Sequence, residues 1–430
     1  MSILKVGSDN PKLSFILSKN PATIRESKEP FTKNLRKGKV YGWYSKADDS
    51  EFTLLFKDSE TDVSFANHNE FEYLDRTRYS SPYAPISMIT HALTSALKEE
   101  SDFDTREFHS YVETTIKISN GAMASAFVKH SEGMVSIERT SLAGDTYKLR
   151  LSGNSVQLLL NTLVSFCIIQ CIYDKDCYVD MDSQAMAFYI RAINRINAPY
   201  FIRYIFSRTA FRDKNTFNKY QKDIQLPDTE MHYGDTQRHR YDAIEKYLLG
   251  GDESTLIDIG CGELYYTKRL SKRYTDVFAF DADPLIMEDN IGKVKGWKLD
   301  NVSPMGEVTP EFVQENLDFF EEADVLMTEV IEHVSLQEAE NILKSLLTTK
   351  FNKLIVTTPN RDFNVNYNIS PDAMRHSDHK WEMSLTDYQN WVEELSATFP
   401  VKLTTIGIGD SVNGVYSVSM TIFERIEDGK

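Results

Sequence analysis

The sequence is poor in cysteine, glycine and proline for a chain of 430 residues. Its four cysteines form no Cys-x-x-Cys pair, which argues against a disulfide framework, and we expect reduced thiols in a cytoplasmic protein. Only 19 glycines and 13 prolines are present, so collagen-like and low-complexity classes are excluded. The first residues lack a basic segment followed by an apolar one, and we therefore expect no secretory signal.

Apolar residues are plentiful: 41% of the chain is hydrophobic and 12% is aromatic. This length exceeds what one core usually supports, so two domains are expected. The longest apolar run, Val156–Tyr173, carries Gln157, Asn161, Ser165 and Gln170 at spacings that gather them along one helical stripe. A spanning helix would bury that stripe at a cost of several kcal/mol, so the pattern predicts a core helix and no membrane.

Negative charge is concentrated in one half of the chain. The net charge is −16, and residues 236–430 carry 34 acidic and 19 basic side chains, which leaves the other half almost neutral. Broad, salt-driven binding to duplex nucleic acid needs clustered Lys and Arg, so the acidic half is not suited to it. Any nucleic acid would have to be held locally or with the help of a metal.

The periodicity of apolar residues predicts two domains of different kinds. Up to about residue 150 the pattern is mixed, with short strands, and helical periodicity dominates Val156–Phe211. The polar, aperiodic stretch Phe211–Tyr233, which contains Pro227, is the predicted linker. We predict an α+β domain over residues 1–228 and a second domain over residues 229–430.

Helices and strands alternate in the second domain, which predicts a doubly wound parallel α/β sheet. The terminal segments Leu403–Ile408 and Val415–Phe423, joined by a glycine-containing turn, predict a closing antiparallel hairpin. The predicted parallel strands are Thr255–Ile259, Val277–Phe280, Ala323–Met327 and Lys353–Thr357. A sheet closed by such a hairpin is typical of a Rossmann-like methyltransferase.

The first predicted strand runs into a Gly-x-Gly turn, where the backbone can approach a ligand closely. A dinucleotide site would have a third glycine at Tyr265, whereas an acidic residue two places before the first glycine fits S-adenosylmethionine. The remaining alternative is a tight turn without a ligand. Asp281, 19 residues after the second glycine, can hold a ribose diol. The candidate cofactor-binding residues are Asp258, Gly260, Cys261, Gly262, Asp281 and Asp300.

An unusual motif, Glu-x-x-Glu-His, follows the predicted strand Ala323–Met327. On a helical turn, Glu329, Glu332 and His333 would share one face and converge. Two carboxylates and an imidazole suit a divalent metal, and the nitrogen ligand favours Mn²⁺, Fe²⁺ or Co²⁺ over Mg²⁺. The segment Arg375–Glu382 could return a second imidazole. The alternative is a solvated acidic helix start that the helix dipole favours.

These residues resemble the Hua-enhancer family, whose members are small-RNA 3′-terminal ribose 2′-O-methyltransferases. The resemblance covers about residues 231–425 and includes Thr358-Pro359-Asn360, Gln237-Arg238 and the Arg-His-x-Asp-His-x-aromatic-Glu element that begins at Arg375. Two positions depart from the family pattern. Leu264 stands where Gly is common, and Trp381-Glu382-Met383 replaces Phe-Glu-Trp.

The resemblance implies specific roles for residues of this chain. His333 and His379 would be the catalytic imidazoles, and Arg238 and Arg375 are weaker candidates for holding RNA or cofactor. His376 competes with His379 for the fourth metal position, and we favour His379. The implied metal ligands are Glu329, Glu332, His333 and His379. The implied cofactors are S-adenosylmethionine and a divalent metal, Mn²⁺ preferred, with Mg²⁺ or Co²⁺ as alternatives.

A second, weaker resemblance concerns the N-terminal half. Tyr73–Tyr79 is similar to the N-terminal region of bacterial members of the family, which engages a polynucleotide kinase–phosphatase and an RNA ligase. This resemblance implies a hetero-oligomeric RNA-repair complex that acts on the 3′ end of a cleaved tRNA-like or small RNA.

The expected activity is metal-dependent transfer of a methyl group from S-adenosylmethionine to the 2′-hydroxyl of the terminal ribose. Two alternatives remain at this point. The chain could be mainly a scaffold that activates an RNA end-healing and ligating complex, or it could methylate another substrate.

Overall fold

The computed structural model describes residues 2–35, 38–58, 80–98, 100–179, 181–248, 250–251 and 253–426. The segment Tyr73–Tyr79 therefore lies outside the described residues. The chain divides into two compact units, Met1–Arg212 with Lys219–Ile224, and Asp213–Asn218 with Gln225–Lys430.

The first unit is built on a seven-stranded antiparallel sheet in the order β2-β3-β4-β1-β5-β7-β6. Its strands are β1 (Ser2–Ser8), β2 (Phe31–Leu35), β3 (Gly38–Tyr44), β4 (Glu51–Asp58), β5 (Ser110–Lys117), β6 (Ser136–Ala143) and β7 (Thr146–Gly153). The helices are α1 (Leu13–Leu17), α2 (Pro21–Glu26), α3 (Tyr83–Ala92), α4 (Thr94–Lys98), α5 (Gly121–Ser131), α6 (Val156–Tyr173), α7 (Ser183–Arg195) and α8 (Tyr200–Ala210). This is the α+β architecture that the sequence predicts.

Helix α6 forms the centre of the first unit, where it packs on β5, β7, α3 and α7. Among the described residues it is the one helix long and apolar enough to cross a membrane, and 83% of it is buried within the protein. Two residues of its polar stripe bond to neighbouring backbone: the Gln157 amide donates to the Ala96 carbonyl at 2.8 Å, and the Gln170 side chain accepts from the Asn120 N–H at 3.0 Å. These bonds satisfy polar groups that burial would otherwise penalise. The Ser165 hydroxyl has no hydrogen-bond partner among the described residues.

The predicted linker contains a helix, α9 (Lys214–Ile224), and the division between the two units falls within it. The prediction of an aperiodic stretch was wrong here. Phe217 and Ile224 are buried and Tyr220 is half-buried, at the i, i+3, i+7 spacing of one helical face. Most other residues of α9 are polar, so three apolar positions in 11 residues give too weak a periodicity to predict the helix from the sequence.

The second unit contains an eight-stranded sheet in the order β11-β10-β9-β12-β13-β15-β14-β8. Its strands are β8 (Thr229–Glu230), β9 (Thr255–Ile259), β10 (Asp276–Phe280), β11 (Val302–Met305), β12 (Asp324–Thr328), β13 (Lys353–Pro359), β14 (Val401–Val412) and β15 (Val415–Arg425). The helices are α10 (Thr236–Ile244), α11 (Tyr265–Leu270), α12 (Pro284–Trp297), α13 (Pro310–Glu315), α14 (Leu336–Thr348) and α15 (Leu385–Ser396).

Strands β9 to β13 run parallel, and the long hairpin of β14 and β15 joins them antiparallel to β13. This is the Rossmann-like methyltransferase sheet, with its closing hairpin, that the sequence predicts. Apolar clusters cover both faces of the sheet. The strand order reverses between β9 and β12, and in such sheets ligands bind beyond the carboxyl ends of the strands at this switch point.

Candidate active site at the carboxyl edge of the parallel sheet

The turn after β9 takes its shape from residues with left-handed backbone conformations. Gly260 has φ +70° and Leu264 has φ +62°. A Cβ on Gly260 would lie 2.2 Å from Val330 Cγ2, whereas one on Gly262 would meet open space. Leu264 departs from the family pattern. Its left-handed conformation is strained for a residue with a Cβ atom, and glycine would adopt it without this strain.

Two carboxylates border the turn. Asp281, at the end of β10, accepts the Gly262 N–H at 2.9 Å through Oδ2 and the Asp283 N–H at 3.0 Å through Oδ1. Asp258 is fully buried and accepts the Thr267 hydroxyl at 2.5 Å, and burial raises its pKa to about 7. Its other oxygen has no hydrogen-bond partner in the described part of the chain.

A cavity of about 1030 Å³ lies against this turn. It extends from Gly260–Leu264 to Thr328 and Glu329 at the end of β12. Cys261 is buried, and its backbone N–H bonds to the Phe280 carbonyl at 2.8 Å, so it shapes the turn through its main chain. An open glycine turn with an unpartnered buried carboxylate oxygen fits a polar cofactor that approaches the backbone closely.

Glu332, His333 and His379 form a cluster whose possible metal-binding atoms all lie within 4.8 Å of one another. Glu332 and His333 belong to a short 3₁₀ turn, Ile331–His333, which follows β12. The His333 and His379 rings meet edge to face, with their centroids 4.8 Å apart. The structure thus brings together one carboxylate and two imidazoles from segments that are 46 residues apart in sequence.

The chemistry of Glu332 fits a cation. The side chain is fully buried, with Oε2 accepting the Thr358 hydroxyl at 3.0 Å and Oε1 without a hydrogen-bond partner among the described residues. Burial, with the nearby charge of Glu329, raises the pKa of this carboxyl well above its ordinary value. A buried carboxylate with an unused oxygen beside two imidazoles would be stabilised by a bound divalent ion.

Glu329 points elsewhere. Its φ is +54°, so the Glu-x-x-Glu-His motif is not one helical turn, and the prediction that its three side chains share a helix face was wrong. One carboxylate oxygen lies 2.8 Å from the Arg240 guanidinium and the other accepts the Thr357 hydroxyl at 3.3 Å. Burial favours the neutral form of Arg240, but Glu329, Tyr266 and Glu332 together outweigh burial and raise the pKa of Arg240.

His379 is oriented by a carboxylate that the sequence did not identify as a site residue. Glu382 Oε1 lies 2.5 Å from His379 Nδ1, and its Oε2 accepts the Asn364 amide at 2.5 Å. A carboxylate at Nδ1 fixes the tautomer that donates from this nitrogen, which leaves Nε2 available as a ligand. The only signal for this role in the sequence is a glutamate three residues after His379.

Arg375 holds the same loop. Its backbone N–H donates to Glu382 at 2.7 Å, and its guanidinium donates to Asn364 and to the carbonyls of Asn360 and Ser417. These bonds hold the Arg375 side chain against the loop, and its role in binding RNA or cofactor stays a prediction.

The other predicted residues fall in three different places. Arg238 lines the large cavity but forms an ion pair with Asp242 at 2.8 Å. His376 is exposed and lies outside the three-residue cluster, although its ring is 5.2 Å from that of His379. Asp300 occupies an exposed turn before β11, at the amino edge of the sheet. It therefore lies opposite the glycine turn, and its prediction as a cofactor ligand was wrong.

Comparisons with known proteins agree with this fold. A chain in the structure of the Pnkp1/Rnl/Hen1 RNA repair complex has a TM-score of 0.80 over 98% of this chain and 100% of that chain, at 23% identity, which shows a shared fold. Curated relatives match over shorter segments. The small RNA 2′-O-methyltransferase of Caenorhabditis elegans is 36% identical over 83 residues, or 19% of each protein. The Drosophila melanogaster protein of the same name is 25% identical over 169 residues, 36% of this chain and 43% of that protein.

The matched segments thus span about a fifth to two-fifths of the length of these curated relatives. The family comparison covers more of the chain. The sequence profile of the Hen1 N-terminal domain matches residues 3–229, which is more than half of the 430 residues. This match confirms the family resemblance seen in the sequence, and the chain belongs to the Hen1 N-terminal domain family.

Proposed function

We propose that this protein transfers a methyl group from S-adenosylmethionine to the 2′-hydroxyl of the 3′-terminal ribose of RNA, as part of cytoplasmic RNA repair in bacteria. The observation that carries this proposal is the Glu332, His333 and His379 cluster, which follows β12 at the same sheet edge as the glycine turn. A methyl donor and a hydroxyl acceptor would meet at this edge. The relatives named small RNA 2′-O-methyltransferase support RNA as the acceptor.

The glycine turn would hold S-adenosylmethionine, whose sulfonium carbon is the methyl source. Asp281 can accept hydrogen bonds from a ribose diol, because each of its oxygens has one partner and a second lone pair. Asp258 is fully buried behind the turn, where it accepts the Thr267 hydroxyl of α11, so it would support the cofactor site by positioning the turn. The glycines keep side chains out of the space that the ligand would fill.

A divalent metal, with Mn²⁺ preferred and Co²⁺ or Mg²⁺ as alternatives, would be held by Glu332, His333 and His379. When bound there, it would lower the proton affinity of a ribose hydroxyl and favour a terminus whose 2′- and 3′-hydroxyls are both free. Glu329 would complete the ligand set by exchanging its Arg240 partner. Without a metal, the Arg240 guanidinium neutralises the Glu329 carboxylate.

Both imidazoles are held in a form that can bind a metal. Burial lowers the pKa of His333, so its ring is neutral near pH 7. Its Nδ1 lies 3.1 Å from an Asp378 carboxylate oxygen, which favours the tautomer with the proton on Nδ1 and leaves Nε2 for the metal, as at His379. The 2′-hydroxyl would then lose its proton to water as its oxygen forms the bond to the methyl carbon and the carbon–sulfur bond of the cofactor breaks.

The test uses labelled S-adenosylmethionine and a set of otherwise identical RNAs. Their 3′ ends carry a 2′,3′-diol, a 2′-deoxyribose, a 3′-phosphate or a 2′,3′-cyclic phosphate. We expect transfer to the diol alone, in the presence of Mn²⁺ and not of a chelator. Equal transfer to the diol and the 3′-phosphate RNA would contradict the proposed selection of a free terminus.

Replacing Glu382 by glutamine is expected to weaken metal binding by about 10- to 100-fold, because it removes the charge that orients His379 and raises its basicity. The Mn²⁺ concentration for half-maximal methyl transfer should rise by this factor, while the rate at saturating Mn²⁺ recovers. Glu393→Gln is the matched control, because Glu393 is exposed on α15 and its carboxylate accepts a hydrogen bond from the Gln389 side chain, away from the cluster. An unchanged Mn²⁺ requirement in Glu382→Gln would contradict the positioning role.

We further propose that residues 1–228 form a partner-binding domain that supports a kinase–phosphatase and an RNA ligase, and that residues 229–430 form the methyltransferase domain. The similarity to a chain of the Pnkp1/Rnl/Hen1 complex supports such partners. This chain, the kinase–phosphatase and the RNA ligase would form a hetero-oligomeric repair complex.

The proposed division predicts separable activities. A fragment that begins at Gln225 should retain cofactor binding and methyl transfer, because it keeps β8, which pairs with β14. A fragment that begins at Met231 would lose this strand. The fragment of residues 1–224 should bind and stimulate a bacterial end-healing and ligating enzyme in pull-down and ligation assays. Stimulation by the C-terminal fragment instead would contradict the assignment.

A further inference from the structure

The large cavity continues past the glycine turn as a groove along α11. We call this part the α11 groove and define it by Tyr265, Lys268, Arg269, Lys272 and Trp297, all of which line the cavity. The three cationic side chains are exposed and lie on one helical segment. The groove therefore places three positive charges on the surface of a unit that is strongly acidic in sequence.

The cations of the α11 groove have no carboxylate partner among the residues that the structure describes. Elsewhere in the same cavity the cations are neutralised: Arg238 pairs with Asp242 and Arg240 pairs with Glu329. No carboxylate oxygen of the described residues lies within ion-pair distance of Lys268, Arg269 or Lys272. Their charges remain available to an anionic ligand.

Aromatic rings alternate with these cations. Lys268 Nζ lies 3.6 Å from the centre of the Trp297 ring, and the Arg269 guanidinium lies 3.6 Å from that of Tyr265. Trp297 is 37% exposed, which is high for so large an apolar ring. Alternating aromatic and cationic side chains are the means by which proteins hold single-stranded nucleic acid, through stacking on bases and attraction to phosphates.

Cations near the end of a helix also offset the helix dipole, which offers a purely structural reason for Lys268 and Arg269. This reason does not account for the exposed Trp297 or for Lys272, which lies beyond α11. Compensation of the helix dipole needs the charges alone and not the aromatic rings of Tyr265 and Trp297 beside them.

We propose that the α11 groove binds the single-stranded nucleotides that precede the 3′ end of an RNA substrate, with the phosphates at Lys268, Arg269 and Lys272 and a base on Trp297. The inference rests on the proposed function, because it assumes that the terminal ribose lies near Glu332. The groove adds a binding surface, so the affinity for RNA should depend on the length of the RNA. An RNA of two nucleotides would use little of it.

The test compares two triple variants with the same change of net charge. The first is Lys268→Gln with Arg269→Gln and Lys272→Gln. The control is Lys344→Gln with Lys350→Gln and Lys402→Gln, at exposed lysines on other parts of the same unit. Binding of a 5′-fluorescein-labelled, 12-nucleotide single-stranded RNA is followed by fluorescence anisotropy of the full chain, with S-adenosylhomocysteine and Mn²⁺ present, at several salt concentrations.

We expect the first variant to bind this RNA about 10-fold more weakly than the control, with a slope of log affinity against log salt smaller by about 2. Trp297→Leu should weaken binding about 10-fold without changing the slope, since it removes stacking and no charge. The dissociation constant of S-adenosylhomocysteine should be the same in all variants.

Equal RNA affinity and equal salt slope in the two triple variants would overturn the inference, even if methyl transfer is observed. Because the assay measures binding, its outcome does not depend on turnover. A wild-type protein that binds the RNA through this groove but methylates no RNA would overturn the proposed function and leave the groove assignment intact.

Discussion

Replacing Glu332 by glutamine is expected to lower the rate of methyl transfer to RNA by about 1,000-fold or more. Metal ions contribute several kcal/mol of transition-state stabilisation, and each 1.36 kcal/mol is a factor of ten in rate. Glu332 is the fully buried carboxylate of the cluster, and glutamine keeps its size while it removes the charge. The rate is measured with labelled cofactor at saturating RNA and Mn²⁺.

Cofactor binding separates this effect from unfolding. The variant should bind S-adenosylhomocysteine with the wild-type dissociation constant in calorimetry, because the glycine turn is built by other residues. The apo variant is expected to be at least as stable as the wild type, since it no longer buries a carboxylate with an unpartnered oxygen. Wild-type activity in Glu332→Gln, or an equal loss of cofactor binding, would contradict the metal-site proposal.

The second large effect is expected at Asp281. Replacing it by alanine should weaken binding of S-adenosylmethionine by about 10- to 100-fold, which corresponds to a charge-assisted hydrogen bond of about 1.5–3 kcal/mol. The variant also loses the acceptor for the Gly262 N–H, so the turn itself is loosened. Asp276→Ala is the matched control, because this exposed residue begins the strand that Asp281 follows. An unchanged dissociation constant would exclude Asp281 from the cofactor site.

Four of the five parallel strands were predictable because they are short apolar runs that end in turns or acidic residues, whereas β11, with the sequence Val-Ser-Pro-Met, lacks such a run and was missed. The first of them, Thr255–Ile259, matches the predicted bounds. The order of the strands follows from general rules for alternating helices and strands, together with the antiparallel hairpin at the end. Local patterns of apolar residues thus predict where the strands lie and how they are connected.

The geometry of the cluster was less predictable. The sequence spacing of Glu329 indicates a helix, but its backbone is left-handed, which is uncommon for glutamate. Its pairing with Arg240 joins segments 89 residues apart in the chain. Likewise, Glu382 bonds to His379 in the same irregular loop and to Asn364 in the 3₁₀ helix Arg361–Tyr367. Side-chain networks of this kind depend on tertiary placement, which periodicity does not encode.

The position of the transferred methyl group tests the central claim most directly. RNA with a free 3′ end is incubated with the full chain, S-adenosylmethionine and Mn²⁺, then digested to nucleosides and measured by mass spectrometry. We predict one methyl group per RNA, on the 2′-oxygen of the 3′-terminal nucleoside, and no detectable methyl group with Glu332→Gln over the same reaction time. A methyl group on a base or an internal ribose, or none on RNA at all, would contradict the account.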